Sequence, residues 1–219
     1  MSKIYNTEEE KIFKKLNSSK KIQDFLNSLT INFEKKGETV YSPRMVIKHK
    51  KAHCMEGAMF AAAALEYHGQ KPWVMDLRSI DSDYDHVVAV FQQFGCYGAI
   101  SKTNHAVLRY REPIYKTIRE LALSYFHEYF TDSGKKTLRE YSRIFDLSWF
   151  DKHPHPQPLS QRERGEKYSW RTSEENLFEI PEKLDKIKHY SILSSAQVKN
   201  LRKADAIEIK AGKLVEFKS

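Results

Sequence analysis

Residues 54–68 constrain this chain more than any other stretch. Ala58, Ala61, Ala62 and Leu65 recur there at helical spacing. The pattern predicts a helix whose contact face carries almost no side-chain bulk, so it can lie close against a sheet. Gly69 fits the position just past the helix end, where the chain turns left-handed. Three segments rich in Val, Ile, Phe and Trp follow, at 72–79, 85–92 and 96–101, with Asp81-Ser82-Asp83 and Gln93-Phe94-Gly95 as the turns between them. The expected fold is α+β, with helices packed on a small antiparallel sheet.

The flanks add further expected elements. Helical spacing of Ile12, Phe13 and Leu16, and of Ile22, Phe25 and Leu26, predicts helices over 7–16 and 20–29, the first capped by Asn6 or Thr7. The same spacing predicts helices over 113–130, with Pro113 in the first turn, and over 134–147. His153 to Gly165 then holds three prolines and no core pattern, which predicts an exposed loop. This tract resembles translated interspersed repeats found in some bacterial reading frames, which implies an insertion. Beyond it the expectation is helices over 181–188 and 195–203, and a terminal hairpin of 204–210 with 213–217 around Ala211-Gly212. The resulting organisation is one domain over 1–150, an inserted loop over 151–169, and a segment over 170–219 that packs on the same domain.

Composition excludes some classes of function. Hydrophobic residues make up 40% of the 219, including 12 Tyr and 12 Phe, enough for a packed core and too much for a disordered chain. The formal charge is +8, but the lysines alternate with carboxylates, as in Glu182-Lys183-Leu184-Asp185-Lys186, so a solvated surface is expected and a nucleic-acid partner is not. No apolar run is long enough for a transmembrane helix and Met1 to Asn6 lacks an apolar signal core, so no membrane contact and a cytoplasmic location are expected. Two cysteines, Cys54 and Cys96, are expected as free thiols. No phosphate loop, dinucleotide fingerprint or metal cluster is present in the sequence, and His153 and His155 lack a third ligand nearby, so neither cofactor nor metal is expected.

The chemistry-bearing residues surround the small-faced helix. Cys54 stands at its start, where the helix dipole and nearby cations (Lys50, Lys51 and His53) favour the thiolate. His86 opens the strand-like run Asp85-His86-Val87-Val88-Ala89-Val90. A thiol at a helix start followed by a histidine on a strand is the order of a cysteine nucleophile and its base. Cys96 has no such companion and reads as structural. Glu56 reads as a first-turn carboxylate that can hold His53 or a lysine. Lys102, Arg109 and Arg111 read either as a substrate-facing basic rim or as a solvated strand edge.

Cys54-Met55-Glu56-Gly57-Ala58, Gly69-Gln70-Lys71-Pro72-Trp73-Val74-Met75-Asp76 and Asp85-His86-Val87-Val88-Ala89-Val90 resemble the motifs of the transglutaminase-like superfamily of papain-type cysteine enzymes. The resemblance covers residues 53–110 of the 219, and the remainder resembles bacterial proteins that carry the same core. It implies Cys54 as nucleophile, His86 as base, a third polar group that orients the imidazole, and a peptide or protein substrate whose amide bond is hydrolysed or passed to an amine. The family's aspartate falls near the end of the next strand, where this chain has Ser101. Ser101 can accept a hydrogen bond from the ring without bringing charge. Asn104 is the alternative, in the part that asparagine plays in papain-like enzymes. Asp76 and Asp83 are further options, and Asp85 adjoins His86 but faces the other way on a regular strand. A scaffold that has lost catalysis and serves as a binding or assembly module is the competing expectation.

Overall fold

The computed structural model describes residues 4–153 and 169–218. The N-terminal half runs α1 (Thr7–Lys15), α2 (Ser19–Ser28), β1 (Thr30–Ile31), α3 (Pro43–His49), β2 (Lys51–Ala52), α4 (Cys54–Tyr67), β3 (Trp73–Arg78), β4 (His86–Gln93) and β5 (Cys96–Ile100). It continues through β6 (Arg111–Tyr115), α5 (Ile118–Leu123), β7 (Glu140–Ser142), β8 (Phe145–Asp146), α6 (Trp149–Lys152), α7 (Glu179–Lys186), β9 (His189–Ser191), α8 (Ser195–Lys199) and α9 (Ala206–Gly212). The main sheet has the order β6-β5-β4-β3-β7-β9, with β8 also paired to β3, and every pairing in it is antiparallel. The fold is therefore α+β on an antiparallel sheet.

Strand β4 explains the layering. Val87, Ala89 and Phe91 face the core that holds α1, α2 and α4, whereas Val88 and Val90 face the core of α5, Tyr125 and Tyr129. Each face of the strand is covered, so it reads as a continuous apolar run. Helix α4 is buried from Met55 to Leu65, because α1 and α2 cover the side away from the sheet. Phe60 on α4 stacks on Phe13 of α1 at 5.5 Å and on Phe25 of α2 at 4.9 Å. The tightest approach at any described glycine is at Gly57, where a Cβ would lie 2.4 Å from Cβ of Lys102. Only a residue without a side chain lets the first turn of α4 touch the segment after β5.

The expected α1, α2, α4 and β3–β5 are present. Asn6 is the α1 cap, in a capping box with Glu9. Gly69 follows α4 at φ +85°, and the amide of Gln70 returns to the carbonyl of Leu65, as in a Schellman ending. Phe94 (φ +53°) and Gly95 (φ +71°) form a tight two-residue hairpin between β4 and β5.

The second half departs from expectation. The 113–130 helix is instead β6, then α5 started by a capping box of Thr117 with Glu120, then a 3-10 turn over Phe126–Glu128. Pro113 is accommodated because β6 is an edge strand. The 134–147 helix is instead β7 and β8, which complete the second edge of β3. Pairing that edge outweighs local helical spacing, and Leu138 and Tyr141 enter one core while Phe145 enters the other. The terminal hairpin is absent: 206–212 is helical, capped by Asp205 with Glu208, and Val215 bridges to His105. The 195–203 helix stops at Lys199. The inserted loop assigned to 151–169 lies largely outside the described residues, but its first two positions complete α6. Of the two histidines in that tract, His153 stacks on Trp149 at 4.1 Å and His155 lies outside the described residues.

Candidate active site

The start of α4 is built around a buried carboxylate. Glu56, fully buried, accepts from the backbone amide of His53 at 2.9 Å, closing a capping box in which histidine replaces the usual hydroxyl residue. It also accepts from Thr39 Oγ1 at 2.8 Å, from the Tyr41 amide at 3.0 Å and from Asn32 Nδ2 at 3.1 Å. These bonds tie the loop before α3 to the helix start. That loop in turn fixes the His53 ring, because the Thr39 carbonyl takes Nε2 at 2.9 Å.

Cys54 is half-buried at the first position of α4, directly after His53, and lines one cleft with His53 and His86. Burial pushes the thiol up, but the interactions with His53 and His86 outweigh it and hold the thiol down at about 5. Burial pulls His53 down, yet its bond to Cys54, the sulfur's charge, Glu56 and the Thr39 carbonyl push it up to about 9. Between these values the pair is a thiolate beside an imidazolium. The charged ring carries a proton on both nitrogens, so the 3.3 Å bond from the Met55 amide to Nδ1 belongs to the neutral ring alone. His86 is 5% exposed, with its ring edge toward Tyr125, and its Nε2 is buried without a partner among the described residues.

A cleft of about 280 Å³ opens onto Cys54, His53 and His86. Tyr84, Tyr129 and Phe130 line its apolar side, and Asp83 and Asp85 its acidic side. The two core members of the sequence reading thus meet in one cavity.

The third position does not assemble. Ser101 is fully buried, and its hydroxyl lies 2.9 Å from the Leu108 carbonyl and 3.0 Å from that of Arg109, with no bond to His86. Asn104 lines the cleft but gives its side-chain amide to the backbone of Phe217, with Nδ2 to the carbonyl and Oδ1 from the amide, each at 2.8 Å. Asp76 is bound to His189, Asp83 accepts from Thr137, and Asp85 accepts from the Ser79 amide at 2.7 Å. The basic rim is likewise spent within the chain. Lys102 is buried, donates to the Leu29 carbonyl at 2.5 Å, and is pulled down to about 8 mainly by burial. Arg109 pairs with Glu216, and Arg111 pairs with Glu128 at 2.7 Å while covering the Tyr125 ring. Lys51 lies over Tyr41, so the imidazoles rather than the lysines hold the thiol down. Cys96 is buried at the β4–β5 hairpin.

Sequence reasoning counted His53 only as a nearby cation. The available signal was its spacing to Glu56, the His-x-x-Glu form of a capping box, which fixes the ring beside the thiol. Thr39 gave no signal. Neither the models of known protein families nor the curated proteins give a match to this chain.

Proposed function

We propose that the protein is a cysteine-dependent acyl-transfer enzyme on a transglutaminase-like core, hydrolysing an amide bond in a peptide or protein. The observation that carries this reading is that Cys54, His53 and His86 line one open cleft, where the two imidazoles hold the thiol well below its ordinary value. A merely buried cysteine needs neither imidazole, and an exposed one is not held as thiolate.

The Cys54 sulfur attacks the carbonyl carbon, and the carbonyl electron pair moves to oxygen near the first backbone amides of α4, which have no intrahelical acceptor. The tetrahedral species collapses, the C–N bond breaks, and an imidazolium proton goes to the leaving nitrogen. His86 delivers that proton, the one it took from the Cys54 thiol when sulfur became the nucleophile, because its Nε2 has no partner among the described residues, whereas Nε2 of His53 is committed to Thr39. Water then attacks the thioester, His86 takes its proton, and the C–S bond breaks to release the acid and the thiolate. His53 serves as the fixed charge that keeps sulfur ionised throughout.

Labelling with a peptidyl vinyl sulfone tests this. The adduct is expected on Cys54, and His86→Gln is expected to slow it about 100-fold or more, the usual scale of acid–base assistance. Labelling no faster than that of the urea-unfolded chain, or indifferent to His86→Gln, sinks the proposal.

One observation favours the competing reading of a binding or assembly module: no side chain at the third position orients His86. Under that reading Cys54→Ala leaves the protein's biological function intact.

A further inference from the structure

The segment after β5, where an orienting third residue was expected, makes a different set of bonds. Asn104 clamps both backbone groups of Phe217, at 2.8 Å each. Its own carbonyl accepts the Glu216 amide at 3.2 Å, and His105 bridges antiparallel to Val215. The His105 ring donates through Nδ1 to the Gly212 carbonyl at 3.0 Å. Two side chains add selectivity: Arg109 pairs with the Glu216 carboxylate, and Nζ of Lys102 lies 5.3 Å from the centre of the Phe217 ring. Residues 214–217, just past α9, are thus held against 102–109 by one antiparallel bridge, backbone bonds to Asn104 and contacts to the neighbouring side chains of Glu216 and Phe217.

This strap runs beside the cleft of Cys54, since Asn104, His105 and Gly212 all line that cleft. The strap is docked lightly. Leu214 is 69% exposed and Val215 44%, so little apolar burial opposes its release. Nothing in its bonding is peculiar to an intramolecular partner: Asn104 reads backbone, Arg109 reads a carboxylate, and Lys102 reads an aromatic face.

We propose that residues 102–109 form a peptide-binding edge, that 214–217 are its intramolecular occupant, and that a peptide with an acidic residue followed by an aromatic one displaces them. The proposal deepens the acyl-transfer reading by naming its substrate class, and it rests on that reading only for what happens to the bound peptide. Occupied by the strap, the edge is self-inhibited. Vacated, it presents the peptide alongside Cys54.

The test uses the full chain and a fluorescein-labelled, end-capped peptide Leu-Val-Glu-Phe-Lys, followed by anisotropy. Glu216→Pro with Phe217→Pro removes both amide donors to Asn104, the carboxylate and the ring, and leaves the edge intact. The peptide is expected to bind this variant about tenfold or more tighter than the wild type, whose strap competes with free-energy worth of one or two exposed hydrogen bonds. Glu216→Arg, which keeps the backbone donors, is expected to shift affinity the same way by a smaller factor. Adding Asn104→Ala is expected to abolish binding, and so is replacing Glu by Arg in the peptide. Equal affinity for wild type and both strap variants, or no binding to either strap variant, overturns the proposal. Neither outcome depends on sulfur chemistry, so slow vinyl sulfone labelling beside normal peptide binding rejects the acyl-transfer reading alone.

Discussion

Two histidines of the same sheet, both with buried side chains, are treated in opposite ways. His189 on β9 gives Nδ1 to the Ile187 carbonyl at 2.9 Å and Nε2 to Asp76 at 3.0 Å. Both partners are acceptors, so the ring donates twice and is held as imidazolium. The Asp76 bond is the main cause that raises it above the ordinary imidazole value. His86 on β4 has a buried Nε2 with no partner among the described residues, and its ring faces a thiol in a cleft. The first ring is consumed by the fold, where it ties β9 to β3. The second is left with bonding capacity to spend. A histidine's availability for chemistry is decided by what packing leaves unpaired, and burial alone does not tell the two apart.

The sharpest way to break this contrast is Asp76→Ala. It strands the His189 charge in the interior and is expected to cost about 3–5 kcal/mol in urea unfolding, the scale of a broken buried pair. The effect carries a pH signature. A raised histidine contributes its full stabilisation below the ordinary value near 6.5 and loses it as pH rises through the raised value of the folded state. The stability gap between wild type and His189→Gln is therefore expected to be widest below the ordinary value near 6.5 and to narrow as the pH rises above it. A gap that widens with pH means the ring is neutral in the fold.

Glu56→Gln comes next. It turns an NH₂ group toward a site filled with donors from His53, Thr39, Tyr41 and Asn32, and it is expected to cost about 2 kcal/mol by thermal unfolding. Iodoacetamide labelling of Cys54 should also slow at acid pH, because His53 loses its anchor.

Wild-type labelling is a third measure. At about pH 6, a thiol held near 5 is mostly ionised, whereas an ordinary thiol is ionised to about one part in a thousand. The weaker nucleophilicity of a low-pKa thiolate returns some fifty- to hundredfold. The net expectation is labelling roughly tenfold faster than an ordinary thiol at that pH, with a rate that levels off above about 6. A rate that keeps climbing to about pH 9 removes the ion pair. The smallest effect is His86→Gln on stability. Its Nε2 forfeits no bond, so less than about 1 kcal/mol is expected. A cost equal to that of Asp76→Ala erases the contrast between the two rings.

The part of the fold nearest the cysteine was legible because its signals are local. The spacing of Ala58, Ala61, Ala62 and Leu65, the left-handed Gly69 and the Phe94-Gly95 turn each work within a few residues. Strands β7, β8 and β9 are two or three residues long and exist because β3 has an edge to fill. No window centred on Tyr141 contains that edge, so its helical spacing misled. The site divides in the same way. Cys54 and His86 follow from motif and order, whereas the surroundings of Ser101 depend on a 3-10 turn over Ala106–Leu108 that folds the Leu108 carbonyl back onto its hydroxyl. Counting along the chain locates residue 101 but not the direction of its bond.

Gly57 has one more consequence. Where α4 meets Lys102, the Gly57 main chain rests on the Cβ and main chain of Lys102, with no flexible side-chain end between them. The joint is stiff, and the nucleophile stands three residues from it on the same turn. A methyl group there acts as a shim, prising the reactive helix from the edge that grips the strap. Residue 57 is thus the tightest of the described glycine positions, and Gly57→Ala would detune the spacing between sulfur and peptide edge without altering a single functional group.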